Sequence, residues 1–146
     1  PQSRGSIEII NPDPTADPKI QPNYLDDELD QKTMIEGIKI LRKIYKQPKF
    51  QDLWDAEIIP GEQVRTDAEI IDAIRKGGGT VYHPVGTCKM GIDAAAVVGP
   101  DLLVHGVTGL RVVDASIMPL ITSANTNAPT LMIAEKAAEM ILASGN

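Results

Sequence analysis

Residues 79–91 read GTVYHPVGTCKMG, and residues 99–130 read GPDLLVHGVTGLRVVDASIMPLITSANTNAPT. Glycine, proline and threonine recur through both blocks and dictate tight local geometry rather than long regular elements. The apolar runs between them predict strands around residues 80–82 and 110–113. After the second block the pattern changes to helical spacing. Pro129 marks the first turn of a helix carrying Leu131, Ile133, Ala134, Ala137, Ala138, Ile141 and Leu142, and Gly145 ends it.

Working upstream, Gly77-Gly78-Gly79 stops a short helix whose apolar side is Ile70, Ile71 and Ile74. Its start, Thr66-Asp67-Ala68-Glu69, matches the capping box, in which the threonine and glutamate side chains satisfy exposed amides reciprocally. Before it lie a Pro60-Gly61 turn and a predicted apolar anchor of Phe50, Leu53 and Trp54. Asp26 or Asp27 caps a longer helix running to about Tyr45, with Met34, Ile38, Leu41 and Tyr45 as its expected buried stripe. NPDPTADPKIQP, residues 11–22, carries four prolines and is expected to be an extended connector outside any ladder. Residues 7–10 read as a strand. Strands and helices do not alternate regularly, so the expected class is α+β, a mixed or antiparallel sheet packed by helices.

A length of 146 residues predicts one domain, residues 1–146, with a sizeable core. Five residues are aromatic, so that core must rest on Ile, Leu, Val and Met. A net charge of -6 without a basic cluster argues against a nucleic acid partner. The lone Cys88 excludes an internal disulfide, offers by itself no metal site, and fits a reducing cytoplasm. No apolar run approaches the ~20 residues of a transmembrane helix, and the start, PQSRGSIEII, has no signal-peptide core. It also lacks an initiator methionine, so the expectation is an internal piece of a longer chain.

His83 and Asn125 are the candidate reactive residues. Pro84 keeps His83 extended, and Gly86 lets the backbone approach something closely. A neutral imidazole takes up a proton near neutral pH, and a side-chain amide can hold the oxygen that loses it. That pairing suits alcohol oxidation. The local sequence alone favours the plainer reading, a partly buried histidine bonded to a carbonyl. Asn125, Thr126 and Asn127 precede Ala128-Pro129, so a helix N-terminus presents its amides there, a site for negative charge unless asparagine simply caps it. His105 reads as an ordinary turn residue, Cys88 and Met90 as packing residues, and the glycine triplet as a C-cap rather than a phosphate cradle.

Taken together, SRGSIEIINPDPTADPKIQPNYL, YHPVGTCKMG, HGVTGLRVVDASIMP and NTNAPTLMIAEKAAEMI resemble the C-terminal segment of the glucose-methanol-choline (GMC) oxidoreductases. The resemblance covers nearly the whole chain, and its asparagine at position 125 is similar to the choline-dehydrogenase-like branch. It implies that His83 is the catalytic base and Asn125 the second catalytic residue. It also implies FAD contacts at Asp114 and Ala115, and at the backbone of Thr126 and Asn127. The implied activity is FAD-dependent oxidation of the CH-OH group of a small alcohol, by proton abstraction and hydride transfer to flavin. The glycine-rich turn that holds FAD in this family is not found in the 146 residues. The expectation is therefore a substrate-binding part plus the last strand and helix of the FAD domain, with the N-terminal Rossmann half absent. Such a chain is expected to be inactive alone, with its C-terminal helix open to an FAD domain or to a dimer partner. Two alternatives stay open: a hydroxynitrile-lyase-like member, and a non-catalytic stand-alone binding module.

Overall fold

The computed structural model describes residues 1–50 and 52–145, which form two compact units divided after Thr80. Strands β1 (Ser6–Glu8) and β2 (Lys19–Gln21) open the first unit as an antiparallel pair with Ile7 opposite Ile20. β2 lies inside the proline-rich stretch expected to stay out of any ladder. Three residues fit between Pro18 and Pro22, so neither missing amide falls within the pairing. All six strand residues are exposed, and Lys19 meets Glu8 across the pair at 3.7 Å.

Helix α1 (Glu28–Tyr45) begins where expected, capped by Asp27, whose side chain accepts from the Leu29 amide. Within its first turn, Asp30 receives the Gln2 and Ser3 amides and the Ser3 hydroxyl. Those bonds hold its carboxyl down to about 2, the Ser3 hydroxyl contributing most. The expected inner stripe is rotated. Met34, Leu41 and Tyr45 are exposed, while Ile35 is buried and Ile38 and Arg42 are half-buried. Arg42 faces inward because Glu57 neutralises it through paired bonds of 2.8 and 2.6 Å, and a bond to the Gly61 carbonyl adds to the tie. The apolar anchor is also reassigned: Tyr45 meets Phe50 edge-on and stacks with Trp54, whereas Leu53 is 82% exposed.

Helix α2 (Asp67–Gly77) packs on α1, with Ile70 fully buried and Ile71 and Ile74 half-buried. Its capping box is complete: Glu69 accepts from the Thr66 amide at 2.9 Å and returns its own amide to Thr66 Oγ1. Thr66→Ala therefore costs about 1 kcal/mol of stability, read as a lower urea midpoint followed by circular dichroism. An unchanged midpoint would show that the box is redundant. The glycine triplet ends α2 as a C-cap, the Gly78 amide bonding to the Ile74 carbonyl.

The second unit is mostly turns around one helix, α3 (Asn127–Ala143). Its core is Val98, Leu102, Ile117 and Ala137, with Met90, Val112, Ile133 and Met140 packed against it. The strands expected at 80–82 and 110–113 do not form. Tyr82 has a left-handed φ of 61°, which ends extended backbone, and Arg111 makes only an isolated antiparallel bridge to Leu103. Left-handed Gly106 and Gly109 fold the chain back too quickly for a longer ladder. The α+β class holds, with three α-helices and a two-stranded antiparallel sheet among the described residues. One side of α3 is packed within its own unit, while Leu131, Met132 and Leu142 are exposed. Among the described residues no helix is long and apolar enough to cross a membrane.

Candidate active site

His83 sits between the left-handed Tyr82 and Pro84, so the chain bends immediately before the ring. The ring is half-buried. Its Nδ1 lies 2.6 Å from Thr126 Oγ1, and the Thr126 amide points at the same nitrogen from 3.4 Å. Thr126 is the N-cap of α3 and is buried. It departs from ordinary capping, since its backbone is already helical (φ -76°, ψ -8°) and its side chain makes no cap bond. Its carbonyl accepts from the Thr130 amide and hydroxyl, which starts the helix without using Oγ1.

The fold thus joins His83 to the segment carrying Asn125, Thr126 and Asn127 across 43 residues. Asn125 and Asn127 are exposed on either side of the buried threonine. Neither caps α3, so the plain asparagine-capping reading is not realised. The amides of a 17-residue helix remain at that end, an arrangement that favours negative charge.

Asp114 and Ala115 belong to a second neighbourhood of the same unit. Asp114 is exposed and caps the short 3-10 turn Ala115–Ile117, accepting from the Ser116 amide at 2.7 Å. Main-chain bonds join this turn to the histidine segment: the Cys88 amide donates to the Ser116 carbonyl and the Met90 amide to the Ile117 carbonyl. Gly86 has φ +88°, and a Cβ there would come within 3.2 Å of the Met118 carbonyl, which is the close approach expected of it. Three residues before Asp114, Arg111 Nε is buried without a hydrogen-bond acceptor among the described residues.

Cys88 and Met90 behave as packing residues, Met90 against the core and Cys88 half-buried. His105 is exposed and bonds to the Gly91 carbonyl at 3.2 Å, as a turn residue would. No group of three or more His, Cys, Asp or Glu among the described residues could hold a metal ion. A groove of about 370 Å³ in the first unit, bordered by Ile38, Tyr45, Trp54 and the Arg42–Glu57 pair, shares no residue with the His83 constellation. The side-chain link from His83 to Thr126 escaped sequence reasoning. Nothing in a single sequence pairs residues so far apart.

The sequence pattern of the GMC oxidoreductases matches residues 1–134. This chain belongs to the GMC oxidoreductase family. Its relatives include the alcohol dehydrogenase [acceptor] of Pseudomonas putida, 54% identical over 97% of this chain and 26% of that protein. The oxygen-dependent choline dehydrogenase of Acinetobacter baumannii is 49% identical over 95% of this chain and 25% of its own length. Among solved structures, an FAD-dependent oxidoreductase of Chaetomium thermophilum superposes with a TM-score of 0.90 at 28% identity. That superposition covers 97% of this chain and 25% of the other. The chain thus spans about a quarter of the curated GMC relatives it matches.

Proposed function

We propose that this chain is the substrate-binding, C-terminal part of an FAD-dependent GMC oxidoreductase that oxidises the CH-OH group of a small alcohol. The observation that carries the reading is the bond from His83 Nδ1 to Thr126 Oγ1 at the N-terminus of α3. It leaves the second ring nitrogen for a substrate proton and ties a proton acceptor to a helix end suited to an anion.

The residues present fit FAD on two grounds. The start of α3 offers amides that no cap side chain occupies, suited to the electron-rich pyrimidine edge of the isoalloxazine. The buried Arg111 Nε, close in sequence to Asp114 and Ala115, is a donor awaiting an acceptor, and a dinucleotide is rich in oxygens. Thr126 and Asn127 would hold the cofactor through their backbone, with Asp114 and Ala115 contributing from the neighbouring turn. FAD supplies, when bound, the two-electron acceptor for the carbinol C–H bond.

His83 takes the hydroxyl proton on Nε2, which leaves the carbinol oxygen more electron-rich and weakens the adjacent C–H bond. Asn125 orients that oxygen by donating from its amide. The remaining FAD contacts come from an FAD domain, which in this reading also covers the exposed Leu131, Met132 and Leu142 of α3. In the chain alone, a second copy takes that place.

Anaerobic mixing of the flavin-loaded full-length protein with primary alcohols, choline included, tests the proposal. Bleaching of the flavin absorbance by at least one alcohol is expected. A flavin that stays oxidised while a cyanohydrin is cleaved would replace this reading with a lyase. A protein that neither bleaches nor cleaves would leave only a binding module.

A further inference from the structure

The side chain of Thr126 has an unusual assignment. A threonine at a helix N-cap ordinarily adopts an extended backbone and turns its hydroxyl onto the first amides of the helix. Thr126 is already helical, so its hydroxyl is directed away from those amides and onto His83 Nδ1 at 2.6 Å. Only 8% of the residue is exposed, which limits competition from water for that bond.

Two groups of Thr126 address one nitrogen, and only one of them is tied to a single tautomer. The amide can only donate, which suits a bare Nδ1, whereas the hydroxyl can donate or accept. The hydroxyl is the dominant partner of Nδ1: the amide at 3.4 Å is at the weak end of the hydrogen-bond range, whereas 2.6 Å is a short contact. Once the ring has taken a second proton, both nitrogens are donors. Only the hydroxyl can then serve Nδ1, so it is the one contact compatible with both protonation states.

We propose that Thr126 is a positioning residue whose hydroxyl accepts from His83 Nδ1–H, holding the ring in the tautomer whose Nε2 lone pair receives the substrate proton. The inference rests on the reading of His83 as the proton acceptor and assigns the device that orients it.

The test compares Thr126→Val, which keeps the shape and removes the hydroxyl, with Thr126→Ser, which keeps the hydroxyl, in the flavin-loaded full-length enzyme. Thr126→Val is expected to slow flavin reduction about ten- to a hundredfold, the rate equivalent of losing a hydrogen bond to a charged group. Substrate affinity should change by less than about threefold, because the lost bond matters most as charge develops on the ring. The rising limb of the pH–rate profile should move to lower pH, since the imidazolium has lost an acceptor that stabilised it. Thr126→Ser should restore both rate and profile. Nitrogen NMR of histidine-labelled protein gives a readout independent of turnover: the proton of neutral His83 should sit on Nδ1 in the wild type and shift toward Nε2 in Thr126→Val.

Three results would overturn the proposal: wild-type rate and pH profile in Thr126→Val, a Thr126→Ser as impaired as Thr126→Val, or a wild-type ring protonated on Nε2. A parallel His83→Ala separates the two levels. A slow His83→Ala beside a normal Thr126→Val rejects only the role of Thr126, whereas a normal His83→Ala rejects the reading beneath it.

Discussion

Replacing His83 by alanine in the flavin-loaded full-length enzyme is expected to lower the rate constant for flavin reduction by about 10²–10⁴-fold, equivalent to roughly 3–5 kcal/mol. Removal of a general base acts on the transition state, so substrate affinity should change far less than the rate. Flavin content has to be equal in the two proteins, because lost cofactor imitates lost base. Asn125→Ala should be milder, since it removes an orienting hydrogen bond and leaves the proton acceptor in place. If His83→Ala retained its flavin and reduced it within about threefold of the wild-type rate, the proton would have to leave by another group.

The second large effect is expected in the first unit. Arg42 and Glu57 are joined by two bonds of 2.8 and 2.6 Å, with side chains only 19% and 14% exposed. Arg42→Met removes both bonds and leaves the Glu57 carboxylate half-buried without its cation, at a cost of about 2–3 kcal/mol. Trp54 is the only tryptophan and stacks with Tyr45 at the end of α1, so its fluorescence reports urea unfolding of this unit directly. Replacing both partners, Arg42→Met with Glu57→Leu, should recover much of the loss, because no unpaired charge remains. The effect also depends on pH. The Arg42 hydrogen bonds hold the Glu57 carboxyl below its ordinary 4.5. The stabilisation is therefore complete above pH 4.5 and is lost as pH falls through the lower folded value, so the gap between wild type and Arg42→Met should narrow in acid. An unchanged urea midpoint in Arg42→Met would reduce the pair to a surface ion pair.

The features legible in the sequence are those whose cause is local. The Asp27 cap, the Thr66–Glu69 box, the glycine stop after α2 and the course of α3 each depend on residues within a few positions of one another. The rotated stripe of α1 shows the limit of hydropathy. An arginine occupies an inward position, and it is tolerated there only because a glutamate fifteen residues later meets it. β2 was hidden for a related reason: all three of its residues are exposed, so no apolar alternation marks it. The apolar runs at 80–82 and 110–113 predict strands, but left-handed Tyr82 ends the first and the second keeps only the Arg111–Leu103 bridge. His83 and its two flanking segments were visible as reactive or turn-forming residues. The bond from His83 to Thr126 was not, since it depends on a meeting that only the folded backbone brings about.

The path that ties the histidine segment to the turn at Ala115–Ile117 is built from main-chain bonds, Cys88 to Ser116 and Met90 to Ile117. Amides and carbonyls are common to almost every residue, so that seam is indifferent to which side chains occupy Cys88 or Ser116. It is not indifferent to length. One residue gained or lost between His83 and Met90 would slide every amide past its carbonyl and carry the ring away from Thr126. Substitution at Cys88 and Ser116 can therefore drift while spacing stays fixed, so along this seam the count of residues constrains the site more than the identity of those two side chains.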